Sequence, residues 1–230
     1  MPVYSLGNDV GFPSANLANE DGLLAVGGQL GIDWLMAAYE QGIFPWYDDK
    51  NPILWWSPNP RLILHPQDFK VSKSFKRVLK KQAYDLYFDR SFKKVIEECS
   101  KAPRGVGDGT WITEEMKLAY ISLHEYGAAH SLEVYEQDEL VGGLYGVSLG
   151  KAFFGESMFF KKRDASKVAL YYLCIELCRW GFHFIDAQVE TDHLISLGAK
   201  NIRRKEFLKK LENALEMPTC LGKWTKKITV

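Results

Sequence analysis

The sequence predicts a mixed α and β fold, α+β or α/β, around a mixed sheet. Three observations carry that prediction. Residues 130–160 break into strand-length runs separated by turn residues. Segments with apolar residues at helical spacing flank them on both sides. The first third of the chain is punctuated by Gly and Pro, so its regular elements must be short. Strand runs alternating with helices favour a sheet covered by helices.

The elements follow in chain order. Ile32, Leu35, Met36 and Tyr39 recur at helical spacing and Gly42 is a helix stop, so a helix is predicted between Gly31 and Gly42. Leu62, Ile63 and Leu64 read as a short strand ended by Pro66. A domain boundary is placed there, dividing residues 1–66 from residues 67–230. Ser72 caps a helix that runs to about Lys81. Residues 84–88 read as a strand and 92–99 as a helix, followed by a glycine-containing loop over 102–109. Thr113 caps the next helix and Gly127 follows its end. Three strands then form an antiparallel meander, turning at Gln137-Asp138 and Leu149-Gly150. Asp164 caps a helix through Trp180 that is apolar nearly all round, which predicts a buried central helix. A strand over 182–189 and helices over 193–197 and 205–215 complete the chain.

Composition narrows the function classes. Of 230 residues, 47% are hydrophobic and 25% charged, which argues for a folded domain and against disorder. The 29 Lys and Arg balance the 29 Asp and Glu, which excludes a wholly basic nucleic-acid binder but permits a local basic patch. No apolar run approaches the ~20 residues of a membrane helix. Residues 1–11 lack the basic start of a secretory signal, so a cytoplasmic protein is expected. Cys99, Cys174, Cys178 and Cys220 form no Cys-x-x-Cys pair, which argues against a zinc ribbon and for buried thiols in a reducing compartment.

Two patterns suggest chemistry. Lys73, Lys76, Arg77, Lys80 and Lys81 fall on one face of the predicted helix, opposite Phe75, Val78 and Leu79. Such a stripe suits a phosphate backbone, and the competing reading is a solvated face. In the strand Phe184-Ile185-Asp186-Ala187-Gln188-Val189, simple alternation puts Asp186 and Gln188 on one face. Glu156 sits in a similar apolar setting. Three polar groups on core strands form either one site or a buried structural network. His124-Glu125 with His130 lacks zinc-protease spacing and crosses Gly127, so no metal is expected. Arg104 to Gly109 mimics a coenzyme A pyrophosphate loop, but follows a helix where that loop follows a strand. Trp46, Trp55 and Trp56 suit either a ligand site or the filling of a domain interface.

Six blocks carry a resemblance: Gly22-Leu23-Leu24-Ala25-Val26-Gly27-Gly28, Gly42-Ile43-Phe44-Pro45-Trp46, Leu54-Trp55-Trp56-Ser57-Pro58-x-Pro60-Arg61, Gly109-Thr110-Trp111-Ile112-Thr113, Gly155-Glu156-Ser157-Met158-Phe159 and Asp192-His193-x-x-Ser196-Leu197-Gly198-Ala199. In this order they resemble the bacterial leucyl/phenylalanyl-tRNA–protein transferases, from about Phe12 to Ala199. The resemblance implies an α+β fold with a small N-terminal domain. It also implies a domain similar to the Gcn5-related acetyltransferases (GNAT-like), with a mixed, largely antiparallel sheet. It implies transfer of Leu or Phe, and less well Met, from aminoacyl-tRNA to the α-amine of proteins beginning with Arg or Lys, which marks them for degradation. No cofactor and no metal are implied, and no membrane partner; a monomer is expected.

By the same resemblance, Asp186 and Gln188 match the pair that handles the proton and orients the amine, and Glu156 a polar group near the aminoacyl ester. Leu144, Phe153, Met158, Leu177 and Ile185 match an apolar side-chain pocket. Trp46 matches an aromatic that stacks on the terminal adenine, and Trp111 a further aromatic of the site. The facing aromatic falls at Leu173, aliphatic here, with Tyr172 adjacent. Lys73, Lys76, Arg77, Lys80 and Lys81 match the surface that holds the tRNA acceptor stem. The rival functions are a coenzyme A-dependent acetyltransferase, a non-catalytic RNA-binding module and a cell-wall aminoacyl transferase.

Overall fold

The computed structural model describes residues 3–102 and 112–228. The predicted loop from Arg104 to Gly109, and Trp111, lie outside the described residues.

A four-stranded sheet forms first. It comprises β1 (Tyr4–Leu6), β2 (Leu23–Gly27), β3 (Phe44–Pro45) and β4 (Leu54–Trp56), in the order β1-β2-β4-β3. Helix α1 (Ile32–Glu40) lies between β2 and β3. The remaining chain builds β5 (Arg61–Leu64), α2 (Lys73–Lys80), β6 (Asp85–Phe88), α3 (Phe92–Lys101) and α4 (Glu114–Tyr126). The meander follows as β7 (Ala129–Glu136), β8 (Glu139–Leu149) and β9 (Ala152–Phe160). Then come α5 (Ala165–Arg179), β10 (Phe184–Gln188), α6 (Asp192–Ser196), β11 (Lys200–Ile202), α7 (Arg204–Leu215) and β12 (Lys226–Ile228). These strands form an eight-stranded sheet in the order β11-β5-β10-β9-β8-β7-β6-β12. Only β9 and β10 pair in parallel within it, joined through α5 as a parallel connection requires. The fold is therefore α+β with mixed sheets.

Local chemistry explains the helix boundaries. The Ser72 hydroxyl accepts the Phe75 N–H at 3.2 Å, and the Thr113 hydroxyl accepts the Met116 N–H at 3.2 Å. Gly127 closes α4 at φ 92°, where a Cβ would meet the Gly222 nitrogen at 2.3 Å. Asp164 departs from the expected cap. It sits at φ 65° with no side-chain cap bond, and its carboxylate instead accepts from Lys167 at 2.9 Å.

Two apolar clusters cover the large sheet. One joins the N-terminal sheet, α1, α3 and α4 to one face, and includes Phe154. The other packs α5 on the opposite face and includes Phe153. Cys99 and Cys174 are buried as expected, while Cys178 and Cys220 are exposed, against that expectation. Strand β5 pairs with both β10 and β11. A division after residue 66 would assign this strand to the first lobe, yet its ladders lie in the large sheet. No helix among the described residues is long and apolar enough to cross a membrane.

Candidate active site

Two β-bulges in neighbouring strands assemble the site. In the β8–β9 ladder Gly146 faces Gly155 and Tyr145 faces Ser157, so Glu156 is the extra residue. In the β5–β10 ladder Ile63 faces Asp186 and Leu62 faces Gln188, so Ala187 is the extra residue. Gln188 takes φ 63°, an uncommon conformation for a side chain larger than glycine. A bulge re-aims the side chains around it. Here the parallel β9–β10 pairing ends at Phe154 and Asp186, and beyond it the Gln188 amide donates to Glu156 Oε1 at 2.8 Å.

A cavity of about 530 Å³ opens beside these groups. Of the residues assigned to the site, Trp46, Leu144, Phe153, Glu156, Met158, Leu173, Ile185 and Gln188 line it. Trp46 is 43% exposed, so the interface-filling alternative does not describe it. That alternative does describe Trp55, which is fully buried with its indole N–H on the Gly27 carbonyl at 2.8 Å. Tyr172, beside Leu173 in sequence, packs near Val78 and Leu79 and does not line the cavity.

Two expectations fail. Leu177 is fully buried in the core beneath α5 and does not line the cavity, because it lies one helical turn beyond Leu173. Asp186 does not line it either and does not share a face with Gln188. The bulge breaks the alternation, so that Asp186 bonds Arg61 while Gln188 bonds Glu156. Asp186 accepts from Arg61 Nε at 2.8 Å and from Arg61 Nη2 at 2.6 Å, and both side chains are 0% exposed. The Asp186 carboxylate also accepts the Gln188 backbone N–H at 3.0 Å, so it pins the bulge.

Glu156 is the buried carboxyl that faces the cavity. Burial pushes its pKa up to about 7, against the pull of hydrogen bonds from Tyr39, Tyr120 and Gln188. The Tyr39 hydroxyl lies 2.7 Å from its Oε1 and the Tyr120 hydroxyl 3.0 Å from its Oε2. Burial and the neighbouring carboxyl raise both phenols well above their ordinary value. His124 and His130 are occupied elsewhere: His124 Nδ1 bonds the Ala129 carbonyl at 2.7 Å and His130 Nδ1 bonds Asp89 at 2.9 Å. The cations of the α2 stripe are all exposed, and none forms an ion pair among the described residues.

The chain matches the leucyl/phenylalanyl-tRNA protein transferase family over residues 63–212 and that family's N-terminal domain over residues 28–59. The leucyl/phenylalanyl-tRNA–protein transferase of Syntrophobacter fumaroxidans is 54% identical, over 97% of this chain and 99% of its own. That of Desulfatibacillum aliphaticivorans is 51% identical, over 98% and 97%. The chain belongs to the leucyl/phenylalanyl-tRNA–protein transferase family. Among solved structures, L-PGS from Bacillus licheniformis is similar at 12% identity and a TM-score of 0.38, over 75% of this chain and 57% of that one. That likeness adds nothing to the fold assignment.

Membership makes the protein an aminoacyltransferase, whose substrates are an aminoacyl-tRNA and a protein. The sequence reading missed three residues that bond the Glu156 and Asp186 carboxyls. Tyr39 and Tyr120 read only as apolar helix positions, although a buried phenol needs a hydrogen-bond partner. Arg61 read as the edge of a motif, although an arginine beside Leu62-Ile63-Leu64 demands a buried anion.

Proposed function

We propose that the protein transfers Leu or Phe, and less well Met, from aminoacyl-tRNA to the α-amine of proteins beginning with Arg or Lys, marking them for degradation in the cytoplasm. The observation that carries this reading is a single cavity with an apolar wall, a Gln188–Glu156 polar edge and a half-exposed Trp46. The apolar wall suits Leu and Phe side chains. Met differs from Leu at the methylene scale, worth only ~1–3 kcal/mol, so rejecting it strongly is beyond such a pocket.

In this reading the acceptor nitrogen bonds to the ester carbonyl carbon and the ester C–O bond to the terminal ribose breaks. The proton that nitrogen loses ends on the ribose hydroxyl. An α-amine has an ordinary pKa of about 7.7–8.0, so a useful fraction is neutral near pH 7. Catalysis is then mainly the positioning of two reactants. Gln188 spends its N–H on Glu156, which leaves its carbonyl oxygen as the acceptor for the amine. Asp186 acts through the bulge as a positioning residue. We read the large-sheet region, residues 67–230 together with strand β5, as a GNAT-like catalytic domain, and residues 1–66 otherwise as the small N-terminal domain. One parallel pair that parts beyond Phe154 and Asp186 in an otherwise antiparallel sheet supports that reading. The α2 stripe is assigned to the tRNA acceptor stem.

Labelled Leu or Phe on tRNA should pass to a peptide beginning with Arg. Label moving only from acetyl-CoA, or tRNA retained without transfer, would overturn the reading. Trp46→Ala should weaken tRNA binding by ~1–3 kcal/mol, the worth of stacking one base. Stacking releases no counterions, so the salt dependence of binding should not change. Equilibrium binding across a salt series measures both.

A further inference from the structure

The hydrogen bonds around Glu156 do not balance if its carboxyl is charged. Three oxygen–oxygen contacts close a ring. Tyr39 Oη lies 2.7 Å from Glu156 Oε1, Tyr120 Oη lies 3.0 Å from Glu156 Oε2, and the two phenol oxygens lie 2.5 Å apart. Each approach at such a distance needs one hydrogen between its oxygens. The two phenols supply two. With a carboxylate, one of the three is left as bare lone pairs facing each other in a buried site, a costly arrangement.

We propose that Glu156 carries a proton in the resting protein and closes this ring with Tyr39 and Tyr120, acting as an uncharged positioning group that fixes the Gln188 amide. This rests on the transfer reaction proposed above. The direction of the ring follows from Gln188. Its N–H donates to Oε1, so Oε1 is the acceptor oxygen and the proton sits on Oε2. Glu156 then donates to Tyr120, Tyr120 to Tyr39, and Tyr39 back to Oε1.

The surroundings agree. Tyr39 comes from α1, Tyr120 from α4, and Asp186 and Gln188 from β10, with Tyr145 of β8 against Tyr120. Asp186 opposes a second negative charge at Glu156, and the nearby cation Arg61 is already committed to Asp186. Burial holds the Glu156 pKa near 7, so the acid form prevails below that pH and is lost as pH rises through it. A charged Glu156 would attract an ammonium and keep the acceptor amine protonated. A neutral one leaves the Gln188 carbonyl oxygen to receive a neutral amine.

The test is infrared spectroscopy of full-length protein carrying ¹³C-carboxyl glutamate, together with transfer assays across pH. A protonated-carboxyl C=O band should be present at pH 6 and fade through about pH 7. It should vanish in Glu156→Gln. It should persist in Glu133→Gln, which removes the other glutamate whose carboxyl burial pushes up. Glutamine keeps both a donor and an acceptor at the ring, so Glu156→Gln should recover at pH 6 the transfer that Glu156→Ala loses. It should also lose the alkaline decline that ionisation of Glu156 imposes. Absence of any such band in both the parent and Glu133→Gln would overturn the proposal, whatever becomes of Glu156→Gln. So would a roughly 100-fold loss of transfer in folded Glu156→Gln at every pH, the scale of a lost acid–base group. If the parent transfers nothing, the proposed reaction falls, while the band still decides the protonation of Glu156.

Discussion

Asp186→Ala is expected to lower the melting temperature by about 10 °C, before any effect on transfer is considered. The reason is the charge it strands. Arg61 gives two hydrogen bonds to Asp186 and one to the Gly42 carbonyl at 3.1 Å, and both side chains of the pair are wholly buried. Its guanidinium lies 4.8 Å from the Phe44 ring centroid and 4.4 Å from that of Phe207, so it cannot turn out to water without unpacking the joint between the two sheets. Removing one partner of such a pair costs about 3–5 kcal/mol, because the other charge stays desolvated. Replacing both partners by apolar residues of similar size, as in Arg61→Met with Asp186→Leu, should recover most of that loss. The double variant nonetheless loses the carboxylate that accepts the Gln188 N–H and pins the bulge. It is therefore expected to melt near the parent temperature yet transfer poorly. Thermal melts beside a transfer assay separate the two effects. A double variant as active as the parent would remove Asp186 from the positioning of Gln188. A single variant as stable as the parent would contradict the stranded-charge argument.

That pair also marks where the sequence stops being legible. Signals confined to a few neighbouring residues read correctly. Ser72 and Thr113 cap helices, Gly127 ends one, and the meander turns at Gln137-Asp138, both at positive φ. The buried α5 followed from its apolar circumference. Pairings set by distant residues did not read. Strand β5 finds its partners more than a hundred residues away in β10 and β11. The edge strands β11 and β12 are three residues each and carry lysines, which blunt an edge but erase the strand pattern.

The site shows the same limit in sharper form. Residue types singled out Glu156 and Gln188, because polar groups in apolar strands need partners, and the fold joins the two by a hydrogen bond. The alternation rule then misplaced Asp186 beside Gln188, because one extra residue in a strand exchanges its faces and nothing in Asp186-Ala187-Gln188 announces it. Tyr39 and Tyr120 lie 81 residues apart in sequence, and only the folded chain brings their hydroxyls to one carboxyl.

Reversing two charges of the α2 stripe, Lys76→Glu with Arg77→Glu, should weaken tRNA binding by roughly tenfold for each phosphate no longer neutralised near 0.1 M salt. It should also flatten the slope of log affinity against log salt by about 0.7–0.9 for each such phosphate. The geometry permits this. Phe75 anchors the helix at 2% exposure, while Lys73, Lys76, Arg77, Lys80 and Lys81 stand in solvent with no carboxylate partner among the described residues. Unpaired cations on a rigid helix repel one another, and a phosphate chain relieves that repulsion while releasing its own counterions. Because these side chains pack against nothing in the core, the double variant should melt like the parent, so weaker binding cannot be charged to unfolding. An unchanged salt slope would return the stripe to a solvated face. The contrast with Trp46 is the stronger test, since one enzyme would then hold its nucleic acid by two physically different means. Losing the indole should shift every point of the salt series by the same amount, whereas losing the charges should tilt the line. A tilt from Trp46→Ala, or a parallel shift from the charge reversal, would mean that stacking and phosphate binding had been assigned to the wrong surfaces.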